Sequence, residues 1–165
     1  ETTFEILQYK DKKYYQVENI VNRYTLTTET IAKVLELDRV YDFKQIYIDD
    51  GGLGVAVFDQ LLNTTQTKNK IVAINNASRS LEVNENRTRK LLKEDLYMNM
   101  LTLLEKGDLL LLKDPNIFTS LKSIMIEHDV SKANIKIYGR YSHITEGLIR
   151  AAWSNHSNRL ALWCR

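Results

Sequence analysis

The sequence predicts an α/β protein: a mixed central sheet with helices on both of its faces. Three observations carry this. The chain opens with two branched, aromatic segments joined by a tight polar turn. Short apolar runs then alternate with segments of helical period. One proline and six glycines leave little to interrupt either kind of element. The 165 residues suffice for one core, and a single domain over residues 1–165 is expected.

Thr3–Tyr9 and Lys13–Val21 are rich in β-branched and aromatic residues, and Lys10-Asp11-Lys12 joins them as a hairpin turn. Thr27 or Thr28 is placed to cap a helix whose Ile31, Val34 and Leu35 form an apolar stripe. Gln45–Ile48 is a short buried strand. Beyond Gly51 and Gly52, the residues Val55, Phe58, Leu61 and Leu62 recur at helical spacing, and Lys70–Asn75 is the next strand. Asn76–Glu85 is polar and aperiodic, hence a loop. A long helix from Asn86 to Lys106 follows, with Leu92, Leu96, Met100, Leu103 and Leu104 inward and Gly107 at its end. Asp108–Lys113 is extended, Pro115 opens a helix running to about Met125, and Ala133–Gly139 alternates as a strand. Ser142–Trp153 is a helix with Ser142 as its cap. The closing "SNRLALWCR" is assigned to no element.

Composition bounds the function only loosely. Hydrophobic residues make up 44% and charged residues 27%, an ordinary globular mix, and the net charge of +2 neither requires nor excludes a polyanionic partner. The single cysteine, Cys164, rules out an internal disulfide and suits a reducing compartment. No apolar run is long enough to span a bilayer, so no membrane partner is expected. The opening Glu1-Thr2-Thr3, without methionine, reads as the start of an excised fragment.

Chemistry is concentrated at two places. In "IYIDDGGLG" a buried strand ends on Asp49 and Asp50, then on glycines that allow a sharp turn and leave room beside the acids. Alternation directs Ile46 and Ile48 to one face and Tyr47 and Asp49 to the other. Taken alone, the acids are more simply explained as a helix N-cap. A phosphate-cradling loop is a weaker reading, because the Lys and Ser/Thr of a P-loop are absent. In "SHITEGLIRAA" the helical spacing puts His143, Glu146, Gly147 and Arg150 on one side. The plain alternative is a solvated face with a Glu146–Arg150 pair. If Asp49 and Glu146 meet over the sheet, their mutual repulsion calls for a cation. A hard divalent ion with oxygen ligands would serve, and two ions roughly 4 Å apart would support phosphodiester hydrolysis.

With these residues in view, the chain resembles the nuclease domain of the large terminase subunit of tailed viruses, which has the ribonuclease H-like fold. The resemblance covers nearly the whole chain. It rests on "IYIDDGGLGVAVFDQLL", on "NASRSLEVNENRTRKLLKEDLYMNMLTLLEKGDLLL" and on "YSHITEGLIRAA", in that order. It implies a two-metal endonuclease using Mg²⁺ or Mn²⁺ that cuts concatemeric double-stranded DNA during genome packaging. By the same resemblance it would work beside an ATPase domain of the same subunit and the viral portal, in the host cell cytoplasm. Asp49 takes the position of the second catalytic carboxylate and Glu146 that of the last, where aspartate is more usual. His143, three residues earlier, would ligate a metal or handle protons. Asp50 would lend outer support.

The chain departs from the pattern at its start. The fold's first strand, which carries the first catalytic aspartate, is missing ahead of the hairpin. Glu1 is a candidate remnant of an acidic loop residue, whereas Glu5 reads as an ordinary strand residue facing solvent. DNA would meet Arg79, Arg87, Arg89, Lys90 and Arg140, although such cations also suit a plain soluble face. Three rivals stand beside the nuclease. They are a non-catalytic DNA- or portal-binding module of the same fold, another ribonuclease H-like enzyme such as a resolvase or transposase core, and a nucleotide-binding α/β protein using "GGLG".

Overall fold

A computed structural model describes residues 1–49, 51–74, 92–129 and 134–153. Strands β1 (Thr2–Lys10) and β2 (Lys13–Asn22) form the expected antiparallel hairpin, with a register shift at Ile6/Leu7. Asp11 and Lys12 both take positive φ (52° and 63°), the turn geometry that matches strand twist. Helix α1 (Thr27–Tyr41) starts differently from expectation. Leu26 is its N-cap, and the Glu29 carboxylate accepts from the Leu26 N–H at 2.8 Å, so neither threonine caps it. Strand β3 (Ile46–Ile48), helix α2 (Gly54–Leu62) and strand β4 (Ile71–Ala73) make a parallel crossover unit.

Helix α3 (Leu92–Glu105) is the described part of the long helix, and Gly107 (φ 67°) ends it as expected. The loop assigned to Asn76–Glu85, the helix start at 86–91 and the closing segment lie outside the described residues. Strand β5 (Leu109–Leu110) pairs parallel to β2. Helix α4 (Pro115–Lys122) begins with Pro115 in its first turn and Asp114 as cap, its carboxylate accepting from Asn116 N–H at 2.8 Å. It stops before Met125. Ile124–Asp129 is a strand, β6, paired antiparallel with β7 (Asn134–Gly139). The reason is local: Ile124 and Ile126 alternate at period two and are β-branched, which suits a ladder better than another helical turn. Helix α5 (His143–Ala151) closes the described chain.

Side-chain alternation sorts the core into two layers. Phe4, Ile46, Ile48 and Ile71 pack on one side against α1 and α2, around Val34, Val57 and Leu61. Leu7, Tyr14, Tyr47 and Val72 pack on the other side with α3, α4 and α5, around Leu96, Ile117, Leu148 and Ile149. Helices therefore cover both faces of the strand layer. Among the described residues the ladder is in pieces. One runs β1-β2-β5, a second pairs β3 with β4, and a third pairs β6 with β7. The edges of β1 and β3 that are not in those ladders border one groove of about 750 Å³.

Candidate active site

Asp49 follows β3 directly, and its carboxylate folds back so that Oδ1 accepts from the Gly51 N–H at 3.2 Å. That is an Asx-type turn. It does not cap α2, whose N-cap is Leu53 without a side-chain bond. Asp50, the other cap candidate, lies outside the described residues. Gly52 has φ 59° and supplies the left-handed step of the turn. The tightest requirement falls on Gly54, where a Cβ would sit 1.7 Å from the Asp49 carbonyl oxygen. The glycines thus let α2 start against the strand end, and this close approach fixes where Asp49 stands.

Helix α5 lies across β1 and β3. Gly147 faces β1 so closely that a Cβ would come 2.7 Å from Glu5 Cγ and 3.1 Å from Thr3 Oγ1. The Thr3 hydroxyl donates to the His143 carbonyl at 3.0 Å, pinning the helix start. This seating brings Arg150 beneath the end of β3. Its Nη2 lies 2.7 Å from Asp49 Oδ2, and its Nη1 lies 3.0 Å from Glu146 Oε2 and donates to the Glu146 carbonyl at 2.6 Å. The Arg150 side chain is 5% exposed, Glu146 17% and Asp49 50%. The Glu146–Arg150 pair is thus buried; it is not the solvated pair of the plain alternative.

The other Glu146 oxygen is also engaged. Oε1 accepts from the Tyr97 hydroxyl at 2.8 Å and lies 3.0 Å from Lys93 Nζ, which itself sits 5.8 Å from the Tyr97 ring centre. Burial first, then the Glu146 charge, pushes the Tyr97 hydroxyl above its ordinary range, so it stays a proton donor. His143 is exposed and lines the groove with Asp49 and Glu146. Arg140 is exposed and stacks on Tyr141 at 5.5 Å. Arg79, Arg87, Arg89 and Lys90 lie outside the described residues.

The structure therefore brings Asp49 and Glu146 together, but across a guanidinium. Among the described residues two carboxylates meet two cations, Arg150 and Lys93, and these four charges balance. A divalent ion does not fit the cluster in this arrangement. Among the described residues no three His, Cys, Asp or Glu side chains converge as a metal group would need. Each Glu146 oxygen already has a cation or a hydroxyl against it.

Glu5 corrects the expectation of a solvent-facing strand residue. It is half-buried on the groove and accepts from Gln16 Nε2 at 2.6 Å, while its Oε1 is buried without a hydrogen-bond partner among the described residues. Burial, opposed by the Gln16 hydrogen bond and assisted by the Asp114 charge, pushes its carboxyl up to about 8. Its signal was present in "TFEILQ": Glu5 shares the strand face of Thr3, which α5 covers. Lys93 and Tyr97 were missed for a similar reason. They flank the stripe of Leu92, Leu96 and Met100, four residues apart, so both reach the same spot on α5.

No known protein family matches the sequence, and no curated protein does. Solved structures do. The large terminase nuclease of thermophilic phage G20c with bound cobalt superposes with TM-score 0.61 at 15% identity, over 92% of this chain and 80% of that one. The same nuclease with bound magnesium gives 0.59 at 17% identity, over 92% and 80%. The Thermus phage P74-26 large terminase nuclease domain gives 0.58 at 16% identity, over 93% and 79%. This chain has the ribonuclease H-like α/β fold of phage large terminase nuclease domains.

Proposed function

We propose that this chain is the nuclease domain of a tailed-virus large terminase and hydrolyses double-stranded DNA during genome packaging. The observation that carries the reading is the meeting of Asp49, at the end of β3, with Glu146, on the last described helix, within the fold shared with such nucleases. In this reading Asp49 and Glu146 are the acids of the site and His143 is the exposed proton-handling group at its rim. Arg140 contacts a DNA phosphate, and Arg79, Arg87 and Lys90 extend that basic face. The G20c structures hold cobalt or magnesium. In this reading the ion would be Mg²⁺, as in one of those structures, or Mn²⁺, and binding it would require Arg150 to release the acids and a further carboxylate to join them. The setting that follows is the host cell cytoplasm, beside an ATPase domain and the portal.

The test is plasmid nicking by the protein carrying this domain, with Mg²⁺ or Mn²⁺, against its Asp49→Asn variant. The expected outcome is metal-dependent nicking that falls roughly 10²-fold or more in the variant. Equal cleavage by both would remove Asp49 from the site.

A second reading is favoured by one specific observation, the compensation of both acids by Arg150 and Lys93. A cluster whose described charges balance without a metal suits a non-catalytic module that docks on DNA or on the portal. DNA binding with no cleavage under any divalent ion would select it.

A further inference from the structure

Two carboxylates placed side by side repel each other unless a cation stands between them. At the end of β3 the chain supplies that cation itself. Arg150 Nη2 lies 2.7 Å from Asp49 Oδ2 and Nη1 lies 3.0 Å from Glu146 Oε2, so one planar fork spans both acids. Lys93 Nζ stands 3.0 Å from the other oxygen of Glu146, and the Tyr97 hydroxyl donates to that same oxygen at 2.8 Å. Glu146 is thereby held with Oε2 toward Arg150. Arg150 and Lys93 together carry as much positive charge as one divalent ion, distributed over fixed side chains. The seat of Arg150 is built into the fold. Its neighbours on α5, Leu148 and Ile149, are fully buried, and Gly147 lets the helix close on Glu5 of β1. A guanidinium also keeps its proton in proteins, so this charge does not titrate away.

We propose that Arg150 is the resident cation of the Asp49–Glu146 pair and locks these acids against divalent ions while its side chain is seated. An oxygen-liganded ion between the acids needs Asp49 Oδ2 and Glu146 Oε2, the two atoms that the Arg150 nitrogens hold. It would also meet the guanidinium charge at close range, inside protein where salt screens weakly. Displacing Arg150 without a new anion for it would strand a buried charge, which is strongly unfavourable. The ion therefore competes against a seated side chain, and it loses. Removing the guanidinium reverses the order. The acids are then uncompensated, and a divalent ion becomes the favourable way to neutralise them. The nuclease reading enters at one point only, in that a locked site would not cleave. Cation choice is measured without DNA, so its failure and a failure of plasmid nicking are separate results.

The test is a Mn²⁺ titration of the protein carrying this domain, without nucleic acid, followed by the electron paramagnetic resonance of the free ion. The parent is compared with Asp49→Asn, with Arg150→Met, and with Arg150→Met combined with Asp49→Asn. The parent and Asp49→Asn should bind Mn²⁺ alike. Arg150→Met should gain a site that the double variant lacks, at least about tenfold tighter than any site Asp49→Asn removes from the parent. Arg150→Lys, whose single ammonium cannot span both acids as a fork does, should gain a weaker site of the same kind. Urea midpoints give a second readout: Mn²⁺ should raise that of Arg150→Met, and affect the parent and Asp49→Asn equally. If Arg150→Met is unfolded alone, Mn²⁺ should refold it and not the double variant. An Asp49-dependent site in the parent within about tenfold of that in Arg150→Met would overturn the proposal. So would Arg150→Met and Arg150→Lys proteins that gain no Asp49-dependent site.

Discussion

Arg150 is the residue on which the site turns. It replaces the repulsion between Asp49 and Glu146 with two ion pairs, and it does so almost entirely out of water. Removing one partner of a buried ionic cluster leaves the others uncompensated. Arg150→Met is therefore expected to lower stability by about 3 kcal/mol in urea titration, toward the low end of the range for buried pairs because Asp49 is half exposed. Adding Glu146→Gln to Arg150→Met should recover part of that loss, a coupling a double-mutant cycle measures directly. If the two changes simply add, Arg150 is not holding the acids. Gly54 makes a separate residue-scale prediction. Alanine there would collide with the Asp49 backbone, so Gly54→Ala should shift the turn and cost about 1–3 kcal/mol, whereas alanine at an ordinary helix position would stabilise. A higher urea midpoint for Gly54→Ala would contradict the close approach.

At the scale of elements, α5 joins the site to the core. Leu148 and Ile149 are fully buried, and the paired Ser120 and Thr145 hydroxyls, 2.8 Å apart, fasten α5 to α4. Leu148→Ala should cost about 2–5 kcal/mol and loosen Arg150 with it, read as faster exchange of α5 amides. Unchanged exchange there would uncouple the helix from the cluster. This helix was legible in the sequence because its apolar stripe and its polar face are both complete within nine residues. The hairpin was legible for the same reason, since its pattern is local. β6 was not: an isoleucine-methionine-isoleucine run after a helix continues either period, and only its pairing with β7 decides. The two acids were found because each ends or lines an element with a clear pattern. The guanidinium between them was read as a surface partner, because burial of Arg150 depends on α5 seating against β1, a contact about 140 residues apart in the chain.

For the whole molecule, a largely buried acid on the groove gives a pH dependence. Glu5 lines the groove, and burial raises its carboxyl from 4.5 to about 8, with the Asp114 charge adding to the effect. Between those two values the folded chain holds a proton that the unfolded chain has released. Stability is therefore greatest below about 4.5 for this group, falls as pH rises toward 8, and levels off above it. The total is on the order of a few kcal/mol. Asp38 acts in the opposite direction and in another window. Burial alone would raise it, but hydrogen bonds from Gln66 and Lys70 outweigh burial and lower it, so its contribution is lost only as pH falls below the ordinary carboxylate range. The two are thus separable in one titration. Glu5→Gln keeps an acceptor for Gln16 and removes the ionisation. Urea midpoints measured from pH 5 to 9 should fall steadily for the parent chain and much less for the variant, with the variant more stable at pH 9. Parallel curves would place Glu5 in water, and with it the floor of the groove.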